Sequence, residues 1–201
     1  MSVTVITRLT GMARWEPGTR ERLQAAAMDL YLSRGFEGTT AADIAQAVGL
    51  TERTFFRHFA DKREVLFGGQ ELLVQAFQDG VAAAGPHASP LEMIESALSA
   101  AATFFTAERR DHSRRRQVVI SANPALQERE LLKSAALAAS LASALRSRGV
   151  PGSTATLAAE SAVTVFGVTF STWIAADEQR SFPAIQREVL RELVALADGA
   201  R

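Results

Sequence analysis

Residues Thr51 to Lys62 read TERTFFRHFADK, and their side chains suit recognition better than bond-making. Phe55 and Phe59, spaced i,i+4, fall on one helix face and would share a core, which leaves Arg53, Thr54, Phe56, Arg57 and His58 on the other faces. Guanidinium, hydroxyl and imidazole groups presented together suit phosphate oxygens and base edges, where an arginine can bond guanine O6 and N7 at once. The rest of the chain holds no Gly-rich phosphate loop, no His/Glu metal spacing and no nucleophile paired with a base. With no cysteine, disulfides, thiolate-ligated zinc and thiol catalysis are excluded. We therefore expect no enzyme activity, no metal and no cofactor.

Positioning such a helix requires neighbours, and the punctuation of the chain supplies them. Helical periodicity broken by Gly, Pro and capping residues runs throughout, without a convincing period-2 strand after residue 12, so the fold class is all-α. A first helix starts near Pro17 to Thr19, carries Leu23, Ala26, Ala27, Leu30 and Tyr31, and ends at Gly35, with Phe36 as a core anchor. A second is capped by Thr40 with Asp43 three residues on, buries Ile44, Ala45 and Val48, and stops at Gly49. The third follows a Gly-Leu turn with Thr51 as N-cap and Glu52 in its first turn. Asp61 is expected to cap a fourth helix running from Lys62 through Val65, Leu66, Leu72, Leu73, Ala76 and Phe77. Two helices joined by a tight turn, the second short and exposed, match the helix-turn-helix, whose second helix enters the DNA major groove.

Charge does not by itself favour nucleic acid. The chain is formally neutral, with 9 Lys/Arg against 8 Asp/Glu before Gly68 and 13 against 14 after it, so contacts with DNA must come from local placement. Lys62 and Lys133 are the only lysines. The N-terminus lacks the apolar run of a signal peptide, and the most apolar later stretch, 156–176, contains Glu160; we expect a cytoplasmic protein with no membrane span. Residues 1–16 are expected to be a disordered arm.

The stretch TTAADIAQAVGLTERTFFRHFADKREVLF, with GFEGTT just upstream, resembles the TetR family of transcriptional regulators in the order and spacing of its motifs. The resemblance covers roughly Arg20 to Phe67 by motif and the remainder by helical architecture alone. It implies a three-helix DNA-binding domain over 17–66, a helical effector-binding and dimerisation domain over 67–201, and about nine helices in all. By position it places Thr40 and Lys62 near phosphates and Arg53, Thr54 and His58 at base edges, with Thr51 and Arg57 as further DNA-binding candidates beside them. Two positions depart from the pattern: Phe56 stands where tyrosine is usual and lacks its hydroxyl, and Ala42 where a basic residue is frequent. Each residue also has a structural reading, Phe56 as core, His58 and Arg57 as surface, Lys62 as the first residue of the next helix.

For the C-terminal half, further helices are expected near 90–107, 111–121, 124–148, 153–177 and 183–198, with a Ser89–Glu92 capping box and starts at Asn123-Pro124 and Phe182-Pro183. The 153–177 segment is apolar or small nearly all round, which suits cover on both sides and, with Ile185, Val189, Leu193 and Leu196 of the last helix, a homodimer. The resemblance implies an apolar effector cavity, for which Phe77, Met93, Leu98, Phe104, Phe105, Val119, Phe166, Phe170 and Trp173 are candidates, and hence a small, apolar or aromatic effector. Five arginines between 109 and 116 read as a solvated corner paired with nearby acids, as a contact with the reading domain that carries the switch, or as a patch for DNA or an anionic ligand. The expected partners are a double-stranded DNA operator, a small-molecule effector and a second copy of the chain, in a regulator that represses. Two other readings fit the same residues: a ligand-independent or architectural DNA binder, and a helical interaction module with a degenerate helix-turn-helix.

Overall fold

A computed structural model describes residues 18–199. Pro17 and the expected N-terminal arm lie outside the described residues. Within them the chain forms α1 (Thr19–Arg34), α2 (Ala41–Ala47), α3 (Glu52–His58), α4 (Gln70–Ala83), α5 (Pro90–Ala102), α6 (Arg110–Ser121), α7 (Pro124–Ser147), α8 (Gly152–Trp173) and α9 (Phe182–Asp198), with a 3-10 turn at Ala107–Arg109 and no strand. No described helix is long and apolar enough to cross a membrane.

Local chemistry accounts for most boundaries. At α2 the Asp43 amide donates to Thr40 Oγ1 at 3.1 Å while the Thr40 amide donates to the Asp43 carboxylate at 2.8 Å, a reciprocal box that satisfies two otherwise unpaired donors. Ser89 and Glu92 repeat it at α5. Between α2 and α3, Gly49 adopts a φ of 71°, which lets the Leu50 amide reach back to the Ala45 carbonyl at 2.9 Å and turns the chain directly into α3.

The fourth helix does not begin at Lys62. Asp61 accepts hydrogen bonds from the Arg63 and Glu64 amides at 2.7 and 3.1 Å, as a cap does, yet residues 62–69 run in turns and α4 starts at Gln70 after Gly69 at φ 85°. The reason lies in Val65, Leu66 and Phe67, which are all buried. Three consecutive residues occupy more than half the circumference of an α-helix, so a helix here could not bury them on a single face. Two other ends differ from expectation: α5 stops at Ala102, five residues early, and α8 at Trp173, four residues early.

Three buried clusters result. The first joins α1–α3 through Leu23, Met28, Tyr31, Ile44, Phe55 and Phe59, extends to Val65, Leu66 and Phe67, and is completed by Val119, Ile120 and Leu126 from α6 and α7. Val119 is thereby part of this core and is not an effector-cavity residue. The second packs α4, α5, α7 and α8 around Phe77, Leu98, Leu141 and Leu145. Gly80 lets α4 and α5 touch, since a Cβ there would lie 2.4 Å from Ala97 Cα. The third is aromatic and holds α9 to α5 and α8 through Trp173, Phe182 and Ile185.

Candidate functional site

Everything that orients α3 comes from its apolar side and its ends. Phe55 is fully buried and Phe59 nearly so, with ring centroids 5.4 Å apart. Burial of two such side chains contributes about 1.5–3 kcal/mol each, enough to fix the helix on its core. Arg20 of α1 donates to the His58 carbonyl at 3.1 Å and lies over the Phe59 ring, while Arg22 donates to the Val48 carbonyl at 2.7 Å. One arginine thus caps the carboxyl end of each helix of the helix-turn-helix, where unpaired carbonyls and the helix dipole favour a cation. The sequence reasoning missed both; their place two residues apart at the start of α1 is the only signal they carry.

The outward face then holds the candidates together. Arg53, Thr54, Phe56 and Arg57 line one open depression on α3. Phe56 is 52% exposed, which removes the reading of it as core, and its ring meets that of Phe55 edge-on at 5.4 Å. Arg53 and Arg57 are exposed and enter no ion pair among the described residues. Thr51 and Thr54 share a hydroxyl hydrogen bond at 3.0 Å, and Thr51 Oγ1 also accepts from the Thr54 amide, so both are held at the start of α3. His58 is half-buried, with Nε2 enclosed and without a protein partner.

Thr40 and Lys62 stand differently. The Thr40 hydroxyl is spent on Asp43 at 2.6 Å, and this hydrogen bond, followed by that from the Thr40 amide, holds the Asp43 carboxyl below its ordinary range. A fixed carboxylate already occupies the amino end of α2. The Lys62 ammonium donates to the carbonyls of Phe36 and Thr39, both at 2.9 Å, and lies 4.3 Å from the Phe36 ring centroid. Tyr31 completes this corner by donating to the Lys62 carbonyl at 2.6 Å; burial pushes its phenol well above the usual value, and Asp61 adds to the effect.

Of the effector candidates, Phe77 and Met93 are buried in the second cluster, as is Leu98. Phe105, Phe166, Phe170 and Trp173 meet ring to ring, and Phe166 reaches Phe77 at 5.6 Å. Phe182, read from sequence only as a helix start, lies stacked on Phe105 at 4.4 Å and fully buried. These rings fill the space between them, and an open cleft lies at their edge between the α5–α6 connection and the start of α9. Phe104 is half-buried and does not line it.

The arginine run is not a solvated corner. Arg109 donates to the Phe104 carbonyl, Arg110 to those of Glu178 and Arg180, and Arg114 to those of Ile174 and Ala175, which caps the end of α8. Only Arg115 and Arg116 pair with acids, Asp29 of α1 at 2.6 Å and Glu130 at 3.1 Å. Arg116 also donates to the Leu66 carbonyl at 2.7 Å. The face of α6 next to α1 therefore touches the reading domain, as the second sequence reading held.

A short exposed helix held by α1 against a tight turn, in front of a helical bundle, defines the helix-turn-helix class of DNA-binding regulators. Residues 23–67 match the model of bacterial regulatory proteins of the tetR family. The chain is 38% identical over 82 residues to the HTH-type transcriptional regulator TcmR of Streptomyces glaucescens, covering 41% of this chain and 36% of that one. It is 30% identical over 100 residues to the HTH-type transcriptional repressor BepR of Brucella suis, covering 46% and 45%. The chain thus spans less than half the length of these relatives. Its fold also matches that of the TetR-family repressor FadR of Thermus thermophilus, solved with lauroyl-CoA, at a TM-score of 0.52 and 24% identity over 87% of this chain and 93% of that one. A TetR-family structure from Mesorhizobium loti matches at a TM-score of 0.56 and 19% identity over 88% and 95%. Residues 23–67 thus carry the sequence pattern of the tetR-family model, and the described chain shares the fold of these TetR-family structures.

Proposed function

We propose that this protein is a ligand-responsive repressor that binds a palindromic operator as a homodimer and is released from it by a small, largely apolar effector. The observation that carries the reading is the outward face of α3, where Arg53, Phe56 and Arg57 are exposed together while Phe55 and Phe59 fix the helix behind them. Arg53 is the candidate for reading guanine, Arg57 for phosphate, and Phe56 for a thymine methyl or sugar, the contacts open to a ring without a hydroxyl. Thr51, Thr54 and His58 border the same face; Thr40 and Lys62 act more through holding α2 and α3 than through free donors.

Release follows from a population shift: an effector weakens DNA binding only by its differential affinity for the two spacings of the paired reading helices. α6 supports such coupling, since it grips the α8–α9 turn through Arg110 and Arg114 and the reading domain through Arg115 and Arg116. Two copies are needed because one reading helix spans too few bases for strong selection. Similarity to the repressor BepR supports the repressing direction.

The test is selection of bound genomic fragments by the purified full chain near physiological salt. Enriched inverted repeats bound about 10³-fold or more above non-specific DNA are expected. Featureless, salt-sensitive recovery overturns the proposal in favour of an architectural binder, and no recovery in favour of a protein-interaction module.

A further inference from the structure

We propose that the outward face of α7 between Glu128 and Arg146 is a contact surface for a second copy of this chain, packed antiparallel on the same face about a two-fold axis beside Leu137. The inference goes beyond the regulator reading, which requires two copies without assigning α7 to their contact.

α7 uses only part of its circumference within its own chain. Leu126, Leu137, Leu141 and Leu145 are buried on the inner side. On the outer side Leu131 is 70% exposed and Leu132 57%, with Ala135, Ala139 and Ser143 exposed beyond them. No charged residue occurs from Ser134 to Leu145, although a helix face turned to water normally carries charge. α9 offers less for such a contact: Ile185 is buried, Val189 and Leu193 pack half-buried on the bundle core, and Arg187, Arg191 and Glu192 are exposed.

The charges of α7 decide the occupant. Arg129 and Lys133 turn onto Glu64 at 2.6 and 3.3 Å, and Glu130 pairs with Arg116 at 3.1 Å. Only Glu128 and Arg146 remain, both exposed and neither in an ion pair among the described residues. Arg63, which feels the Glu128 charge, is held on Asp61 at 2.6 Å, and Arg148, two residues beyond Arg146, is spent on the carbonyls of Val81, Ala84 and Gly85. The exposed acids of the flanking helices are Glu71 and Asp79 of α4 and Glu160 of α8, none of them on α7.

Helix geometry puts these two charges in register. Five α-helical turns are 18 residues, so Glu128 and Arg146 lie on one line along α7, roughly 27 Å apart, with the exposed residues between them within about 60° of it. An antiparallel copy centred on Leu137 sets Glu128 against Arg146 at both ends, Leu131 against Ser143, and Ala135 against Ala139. Opposite charges meet twice and each large residue meets a small one, as an isologous contact requires. A parallel copy would set like charges together, and an uncharged apolar segment would leave both without a partner. The face holds far fewer residues than the about 20–30 a side of a standard interface, so by itself it holds the copies weakly.

Sedimentation equilibrium of the full chain, from micromolar to millimolar concentration, tests the pairing. Glu128→Arg and Arg146→Glu each set like charges against each other at both ends, and each should weaken one step of self-association about tenfold or more. The double variant Glu128→Arg/Arg146→Glu restores opposite charges and should recover that step to within about threefold. Ala135→Glu, at the centre, should weaken it in either background, with the helical circular dichroism unchanged. Self-association that neither single variant alters, or that the double variant fails to restore, overturns the proposal, as does a chain that stays monomeric throughout. Charge-dependent association without any recovered operator supports the contact and counts against the regulator; recovered operator without charge-dependent association does the reverse.

Discussion

The Lys62 ammonium donates to the Thr39 carbonyl at 2.9 Å, and through the second bond to Phe36 it ties the loop before α2 to the segment after α3. A lysine placed by motif near phosphate thus closes the reading domain on itself. Lys62→Ala is expected to cost about 1–3 kcal/mol by leaving two carbonyls without their charged donor. Because the ammonium is held on those two carbonyls and not on phosphate, the salt slope of DNA binding should fall by less than about one. Urea unfolding measures the first effect; stability unchanged within about 0.5 kcal/mol would return Lys62 to phosphate contact alone.

Arg53 and Arg57 make the opposite case, since both side chains are exposed and neither braces the domain. Arg53→Ala should leave the unfolding midpoint nearly unchanged and relax base preference at one position of each half-site by about 1–3 kcal/mol. Arg57→Ala should weaken binding to all sequences alike. Parallel binding-site selections with both variants separate the roles, and identical loss of preference in the two would remove Arg53 as the reader.

How far the sequence revealed this site depends on the range of the interactions involved. The caps at Thr40, Thr51, Ser89 and Asn123 are satisfied within three residues, and each appears in the structure where the sequence placed it. The i,i+4 pair Phe55 and Phe59 is equally local. The start of α4 was illegible because Val65, Leu66 and Phe67 are drawn into a core completed by Val119, Ile120 and Leu126, more than 50 residues away. The arginine run misled for the same reason: its partners are carbonyls of the α8–α9 turn, 60 to 70 positions downstream, and carbonyls leave no mark in a sequence.

Gly80 and Gly167 give a contrast within one residue type. A Cβ at Gly80 meets Ala97 Cα at 2.4 Å and the Ser96 carbonyl at 2.7 Å, both backbone, so Gly80→Ala must push α4 from α5 and is expected to cost about 1–3 kcal/mol. At Gly167 a Cβ meets nothing within 4 Å, and the change to alanine should stabilise the isolated chain by up to about 1 kcal/mol through helix propensity. Thermal unfolding of the two variants tests both signs, and a neutral Gly80→Ala would show that the two helices separate freely.

Acid should lower the stability of the protein modestly, in a defined window. The Glu178 carboxyl is lowered to about 2, first by the Arg180 side chain, and the capping carboxyls of Asp43 and Glu92 are lowered by their hydrogen bonds to Thr40 and Ser89. Folded values below the unfolded ones mean that the unfolded chain binds more protons, so these groups contribute their full stability above the ordinary values of 3.8 and 4.5 and lose it as pH falls below them, for Glu178 toward about 2. Thermal midpoints recorded from pH 7 downward should be level and then fall below about pH 4.5, and Glu178→Gln should make that fall shallower. A midpoint that rises on acidification would contradict the assignment of these carboxylates as stabilising in their charged form.

The exposed face of α8 carries the last prediction. Leu157 is 70% exposed and Val168 44%, and together with Thr164, Gly167 and Ser171 they form a strip of small and apolar residues, interrupted by Glu160, on the exposed side of α8. Burial of this strip against its copy would account for the apolar positions and for the absence of a side chain at Gly167, where a second backbone can approach closely. Val168→Lys and Gly167→Lys each place an ammonium in that contact, and each should weaken self-association at least tenfold while leaving the helical circular dichroism unchanged. Sedimentation equilibrium over a range of concentrations reads the effect. Self-association unaltered by both substitutions would move the proposed homodimer contact away from α8.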